Sequence, residues 1–566
     1  MKIVRREKRD TSALASIEDP ILRELLSSRG VRNMTDASCE LKDLLHYRDL
    51  PDIDKASKII ADTIENSGKI LIFGDYDVDG MTGTALGVRA LQALGLPAEN
   101  ITCKVPSRYD GGYGLSVSEV EKAKLSDINL ILTVDNGICC TEAADKALEL
   151  GIKLVITDHH ECPEQLPSAL AIVDPKLPGS LFPSTALCGA GVLFYVLSAV
   201  RAELELRNFY QERKKPVMAD FLDLVTLGTI GDVVAFDPNN RRLVRAGLSR
   251  MQTGRTLPGI IALAAHSRCD LNEVNPHSIG FELCPRLNAA GRIKLSDNPA
   301  LDLLLTDDPQ KADELSLRLD MCNRRRGDFE RVALKEAREE ATRTDVSGAL
   351  VLFKEHWLSG ITGLLAGRLK EEYGVPCFVF SGEGSLIKGS ARSIPGVPLG
   401  KILRRMQDEH PKILYAGGGH AMAAGATIIK ERFEEFINCF KEYCTEYMRS
   451  PLEEEIYTDG LLDEAHINLD FARLLERSGP WGEGFPEPLF DGKFEVISIV
   501  PIQNRHLRFS LRSASGKILH AVKFRAGIRE KALTEGMDVQ AVFAIEVNRY
   551  KGRESLQIRL EMVEPA

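Results

Sequence analysis

The sequence predicts a multidomain α/β protein: a parallel-sheet domain, a long connector helix, a second α/β domain and a small C-terminal β-barrel. Three observations predict it. Apolar, β-prone runs alternate with helical patterns from about 46 to 200, the signature of βαβ units on a parallel sheet. A long helical stretch with charged residues on most faces then runs from Pro309 to about Arg343. The last unit, about 456–566, reads as short alternating strands separated by turns.

The bulk properties set limits. At 566 residues the chain exceeds one core, and length gives roughly three or four domains. Hydrophobic content of 44% and charged content of 27% are those of a soluble globular protein. No apolar stretch approaches the roughly 20 residues that span a bilayer. MKIVRREKRD lacks the apolar region of a secretory signal, so a cytoplasmic location and no membrane partner are expected. The 12 cysteines include no CxxC pair, which leaves out zinc-finger spacing and reads as reduced, packed thiols. A net charge of −10 taken alone argues against nucleic acid. The average hides an asymmetry, because residues 491–560 hold 13 Lys+Arg against 7 Asp+Glu, a local +6. A basic module in an acidic chain is compatible with a local nucleic-acid surface.

The elements follow in order. Residues 1–45 are expected to form a helical extension. The first domain covers 46–305. Its strands include Ile70-Leu71-Ile72-Phe73, Leu130-Ile131-Leu132 and Leu154-Val155-Ile156. Helices are expected at Thr84–Leu94 and Glu142–Leu150, and 218–300 reads as mostly helical. Asp308 is a good N-cap with Pro309 at the first helical position, opening a connector over 306–345. The second α/β unit, 346–450, begins with ALVLF and contains KGSARS and AGGGHAMAAG, both read as Gly-rich loops. SPLEEE reads as a linker. In the barrel, HLRFSLR places Leu507, Phe509 and Leu511 on one face and Arg508, Ser510 and Arg512 on the other.

Metal-capable residues cluster where these apolar runs end. GDYDVDG carries Asp75, Asp77 and Asp79, whose mutual repulsion calls for a cation; oxygen ligands favour Mg²⁺ or Mn²⁺. VDNG carries Asp135, and IGDVV carries Asp232. Either alone is an ordinary turn residue. TDHH carries Asp158, His159 and His160. Adjacent histidines do not easily reach one ion, so His159 is expected to ligate while His160 faces the substrate phosphate or the attacking water. Asp158 is the candidate to fix a histidine tautomer. Parallel sheets bind ligands at the carboxyl ends of their strands, and a two-metal hydrolase needs such a set there. Asp135 is the candidate bridging carboxylate.

Anion-binding candidates lie elsewhere. Ser390 and Arg392 are two apart, so an extended strand turns both one way and both can donate to one phosphate. Gly417, Gly418 and Gly419 let backbone amides approach an anion, with His420 beside them. The segment from Val105 to Gly114 adds Arg108 and Tyr113. PRLNAAGR adds Arg286 and Arg292, each of which alone reads as a surface or ion-pair residue.

The ordered set DYDVDG, VDNG, TDHH, GDVV, PRLNAAGR, GSARS and GGGHAMAAG resembles the DHH phosphoesterase superfamily and, within it, the RecJ family. GPWGEGFPEPLFDG followed by HLRF is similar to that family's nucleic-acid-binding barrel. The resemblance runs from about Ser28 to the end. It implies a DHH catalytic domain, a DHH-associated domain and an OB-fold. It implies 5′-to-3′ hydrolysis of single-stranded DNA to mononucleotides, with two Mn²⁺ or Mg²⁺ ions per active site, in repair and recombination. By the same resemblance Asp77, Asp79, Asp135, His159 and Asp232 match metal ligands, Asp75 matches the first acid of the motif, and His160 matches the histidine facing the scissile phosphate. Arg108, Tyr113, Ser390 and Arg392 match positions holding the 5′ end and the strand, and His420 matches the histidine of the associated domain. Two residues depart from the pattern: Leu358 stands where relatives often have His, and Gly231 where Ala is common. Single-stranded DNA is the expected partner of a monomeric chain. A single-strand-binding protein and a helicase are further partners suggested by the setting, and no residue pattern points to either. The alternatives are a phosphodiesterase for short oligonucleotides or cyclic dinucleotides, a pyrophosphatase, and a non-catalytic DNA-binding relative.

Overall fold

A computed structural model describes residues 2–107, 114–293, 295–448, 455–502, 506–527, 530, 532–550 and 552–566. The chain opens on a strand, β1 (Lys2–Arg5), before the helix Pro20–Ser28. The N-terminal segment therefore holds a strand as well as helices.

The first domain is built on a five-stranded parallel sheet: β2 (Ile70–Phe73), β3 (Ile101–Lys104), β4 (Leu130–Val134), β5 (Lys153–Thr157) and β6 (Ala171–Val173), in the order β3-β2-β4-β5-β6. β2 and β4 are buried at every position, as continuous apolar strands covered on both faces must be. One face packs on the helices Ile53–Glu65, Val78–Leu94 and Gly189–Leu206, in a core that includes Ile72, Leu132, Leu86 and Leu193. The other packs on the helices Val117–Leu125 and Thr141–Glu149. Residues 222–305 are mostly helical.

The connector is a helix of 33 residues, Pro309–Ala341, and the Asp308 carboxylate caps it by accepting from the Gln310 N–H. Its two halves pack on different cores: Ala312 and Leu319 on the first domain, Ala333, Ala337 and Ala341 on the second. The second domain is a mixed sheet of β7 (Leu350–Phe353), β8 (Cys377–Ser381), β9 (Leu386–Arg392), β10 (Leu414–Gly419) and β11 (Ala423–Ile429), ordered β10-β11-β9-β8-β7. KGSARS and AGGGHAMAAG, expected as loops, fall largely in strands here, with residues 420–422 forming a turn. Gly389 and Ser390 lie within β9, and Gly417, Gly418 and Gly419 pair with Ala426, Gly425 and Ala424 across an antiparallel hairpin. The reason is alternation: Ile387, Ala391, Ala424 and Ala426 are buried in the core, and the three glycines of β10 pair with the small residues Ala426, Gly425 and Ala424.

β12 (Glu455–Thr458) pairs in parallel with β1. The last five strands, β13 (Phe490–Ile502), β14 (His506–Arg512), β15 (Ile518–Lys523), β16 (Asp538–Tyr550) and β17 (Arg553–Pro565), close into a barrel in the order β13-β14-β15-β17-β16. Leu507, Phe509 and Leu511 fill its core, as their alternation predicted. The barrel is docked through the N-terminal segment. Arg29 forms a bidentate pair with Asp459, at 2.8 Å for each bond, with both side chains buried. Leu25 enters the barrel core while Leu22 and Leu26 enter that of the first domain. Among the described residues no helix is long and apolar enough to cross a membrane. All twelve cysteines are free thiols.

Candidate metal centre

The sheet register builds the site. Val134 pairs with Thr157, and Thr157 with Val173, so the next residue in each case, Asp135, Asp158 and Asp174, stands at one edge. β2 ends beside them at Phe73 and leads into the turn bearing Asp75, Asp77 and Asp79. Asp77 caps the helix Val78–Leu94, accepting from the Asp79 N–H (3.0 Å) and the Gly80 N–H (3.2 Å). Asp79, buried in the first turn, accepts from the Gly189 N–H (2.5 Å) and the Ala190 N–H (3.0 Å) of the helix Gly189–Leu206. A carboxylate at a helix N-terminus is favoured by the free amides and the dipole. Asp232 closes the helix Leu222–Gly231 as its C-cap.

Three overlapping triads result, each with ligand atoms within 4.8 Å of one another: Asp79, His159 and Asp232; Asp135, His159 and His160; and Asp75, Asp77 and Asp135. His159 Nε2 lies 3.0 Å from Asp135 Oδ1, 3.6 Å from Asp232 Oδ2 and 3.8 Å from Asp79 Oδ2. Asp135 belongs to two triads and holds a left-handed backbone, φ 61°. Such a backbone is uncommon outside glycine. It is held by close approach: a Cβ on Gly189 would stand 2.5 Å from Asp135 Cβ. Gly231 is likewise crowded, since a Cβ there would stand 2.6 Å from Val78 Cγ1, between Asp77 and Asp79 in the chain.

The electrostatics are those of buried, crowded acids that His160 and Lys176 only partly offset. Burial first, then the charges of neighbouring aspartates, pushes Asp232 up to about 8 and Asp135 well above the carboxylate range. Burial raises Asp79 to about 6, the helix amides opposing it and the Asp77 charge adding to it. Burial, with the charge of His160, lowers His159 to about 3, so it is a neutral imidazole with a lone pair to give. His160 behaves oppositely. Burial works to lower it, but its hydrogen bond to Asp158 (Nδ1 to Oδ1, 2.7 Å) and the Asp158 charge raise it to about 9. Asp158 is fixed in turn by the N–H groups of His159 (2.8 Å) and Ile138 (2.9 Å). Its burial is outweighed by His160 and these amides, and its carboxyl sits below the usual range.

This donor set fits divalent cations. Several carboxylates, raised by burial and then by their own repulsion, need positive charge, and a neutral imidazole beside them suits Mn²⁺ as well as oxygen-preferring Mg²⁺. The sequence reading missed Asp174. It is fully buried, accepts from the Lys176 N–H (2.8 Å), and is pushed up to about 7 by burial. Its signal was present: AIVD repeats the pattern of LTVD and VITD, an apolar strand ending in aspartate.

The expected substrate-binding residues are placed less uniformly. Arg108 and Tyr113 lie outside the described residues. Arg286 pairs with Asp320 of the connector (3.0 Å) and donates to the Glu282 carbonyl. Arg292 donates to the Gly360 carbonyl (3.2 Å), and Gly360 packs on the Arg292 backbone, which joins the two α/β domains. Ser390 and Arg392 share the less buried face of β9, where Ser390 accepts from the Thr362 hydroxyl (3.1 Å). His420 is exposed at the β10–β11 turn, its N–H donating to the Ala423 carbonyl (2.8 Å). Leu358 is the N-cap of the helix Ser359–Tyr373, half-buried against the second domain's core.

Residues 69–229 match the DHH family N-terminal domain, 347–446 the DHHA1 domain and 458–562 the RecJ OB domain. The chain is 38% identical to the single-stranded-DNA-specific exonuclease RecJ of Salmonella typhimurium, over 99% of this chain and 98% of that protein. It is 37% identical to the RecJ of Escherichia coli, over 100% and 99%. Among solved structures, RecJ of Thermus thermophilus with Mn²⁺ superposes at a TM-score of 0.82 with 27% identity, covering 98% of this chain and 77% of that one. The same protein with Mg²⁺ gives 0.76, with 26% identity, 98% and 76%. Three domains of that order, and relatives this similar from end to end, show that the chain belongs to the RecJ family of DHH proteins.

Proposed function

We propose that this protein is a metal-dependent exonuclease that hydrolyses single-stranded DNA from its 5′ end to mononucleotides, in DNA repair and recombination. The observation that carries it is the sharing of Asp135 and His159 among three ligand triads at one sheet edge, the layout two neighbouring cations need. Asp77, Asp79, Asp135, His159 and Asp232 would hold two Mn²⁺ or Mg²⁺ ions, with Asp135 between them and Asp75 completing the set. Bound there, such ions supply an activated water and offset charge on the phosphorus.

The chain's own residues do the rest. Asp158 orients His160 and keeps it an imidazolium at neutral pH, a form that donates to a phosphate oxygen instead of accepting a proton. This favours the phosphate over the attacking water as its partner. Arg108, Tyr113, Arg286, Arg292, Ser390, Arg392 and His420 are the residues assigned to the strand and its 5′ end. The carboxyl-rich site repels a polyanion, and the basic barrel supplies the compensating attraction. A monomer in the cytoplasm, fed by a helicase and meeting strands coated with single-strand-binding protein, goes with this reading.

Time courses on 5′-labelled and 3′-labelled single strands, with Mn²⁺, Mg²⁺ or chelator, test it. Mononucleotides released first from the 5′ label, only with metal, are expected. Equal degradation of blunt duplex, or first release from the 3′ end, overturns it.

A further inference from the structure

The helical segment leading into PRLNAAGR opens on Pro276–Ser278 and continues into one π-helical turn, Ile279–Leu283. π-turns leave a local irregularity in a helix and are frequent at functional sites. This one carries Phe281 with 67% of its surface exposed, an unusual placement for a phenylalanine. Its ring is not alone. The His277 ring lies 4.5 Å from it, tilted by 32°, which makes a two-ring platform.

The barrel brings matching chemistry close. Arg549 of β16 pairs with Glu273 (3.5 Å), four positions before His277, so the barrel rests against this part of the first domain. After β15 the chain presents Phe524, 45% exposed, and the exposed Arg525, which has a left-handed backbone at φ 51°. The Arg525 N–H donates to His506 Nδ1 (2.9 Å), and the His506 ring stands edge-on to Phe524 at 5.3 Å. Burial lowers His277, and charges of both signs act on it, Arg559 and Arg525 of the barrel against Glu546 and Glu282.

We propose that His277 and Phe281, with Phe524 and Arg525 of the barrel, form a base-stacking subsite that grips the single strand before it enters the metal centre. The inference rests on the single-strand reading above and adds a place on the molecule to it. Exposed aromatic faces beside guanidinium charge fit unpaired bases and their phosphates, and stacking tolerates every base. The occupant is single-stranded DNA because the patch joins the basic barrel to the helix that leads to the metal residues. At the far end of that helix Gly291 packs against the Tyr76 carbonyl, between Asp75 and Asp77. Phe281 and Gly291 are ~15 Å apart along a helix rising about 1.5 Å per residue. That distance holds about four nucleotides at the roughly 3.4 Å spacing of stacked bases.

The test measures binding of a short oligo-dT carrying one 2-aminopurine, in chelator so that no cleavage intervenes. Phe281→Ala is expected to weaken binding about tenfold, with an unchanged salt slope because no charge is lost. Phe281→Trp is expected to bind as the unaltered protein does. Arg525→Ala is expected to lower the salt slope by about 0.7. The 2-aminopurine signal should change most when the probe sits about four nucleotides from the 5′ end. Binding by Phe281→Ala within twofold of the unaltered protein overturns the subsite, and so does a 2-aminopurine signal independent of position. Either result leaves the exonuclease reading intact if the unaltered protein still digests single strands with Mn²⁺. Absence of digestion with intact binding overturns that reading and keeps the subsite.

Discussion

The His160 Nδ1 lies 2.7 Å from Asp158 Oδ1, and the same oxygen accepts the His159 N–H at 2.8 Å. One buried carboxylate therefore positions both histidines of the motif, holding the ring of one and the backbone of the other. His160→Ala is expected to lower the cleavage rate by ~10²–10³, the range for a lost donor to transition-state charge, with metal and strand binding kept. Single-turnover rates beside Mn²⁺ titrations check it, and an unchanged rate removes the role given to His160.

Asp158→Asn removes the partner that holds the His160 proton. Asp158 raises His160 to about 9, so without its charge the imidazolium is lost at lower pH. Bound cations shift the value downward in both proteins. The alkaline limb of the rate profile is expected to move to lower pH in Asp158→Asn, with a smaller rate than the unaltered protein at neutral pH. A limb at the same pH in both assigns it to another group.

The metal-free protein should lose stability as pH rises. Asp79 and Asp232, raised to about 6 and about 8, and Asp135, raised further, bind protons more tightly folded than unfolded. The native state then holds more protons from roughly pH 4, where unfolded carboxyls titrate, up to about 8. Their contribution is present at the acid end of that window and lost at the neutral end. Mn²⁺ reverses the trend by replacing the protons. Melting temperatures across this window with chelator and with Mn²⁺ should diverge increasingly as pH rises.

Gly189→Ala replaces no proposed ligand but forces a methyl to within 2.5 Å of Asp135 Cβ, beside the N–H that holds Asp79. Metal affinity is expected to fall ~10–100-fold, as for other losses of ligand support. Calorimetric Mn²⁺ titration measures it, and circular dichroism shows whether the fold survives. Full affinity in a folded variant places Asp135 outside the centre.

Arg29→Ala leaves Asp459 buried with only Arg6, 3.8 Å away, for a charge partner, at a cost of up to about 3 kcal/mol. The expected result is early unfolding of the barrel in denaturant and weaker binding of long strands. Hydrolysis of a dinucleotide should change little. Parallel loss on both substrates makes the barrel part of the catalytic unit.

Strand ends in a parallel sheet made Asp77, Asp79, Asp135 and His159 legible, because apolar runs and the residues that end them are local features. The amides that hold Asp79 were not, since Gly189 and Ala190 come 110 and 111 positions later. Arg286 shows the same limit: its arginine was visible, but its pairing with Asp320 depends on how the connector packs. Glycine runs misled for a different reason. Gly417, Gly418 and Gly419 have no side chains to alternate, so a ladder built by their neighbours left no periodic trace.

The pairing of β1 with β12 links residues 453 positions apart, as from Lys2 to Glu455. During synthesis at ~5–20 residues per second, the first strand waits on the order of 20–90 s for its mate to leave the ribosome. By then every proposed metal ligand, the last being Asp232, has already emerged. The cutting centre can thus assemble on a nascent chain before the part that holds the strand exists.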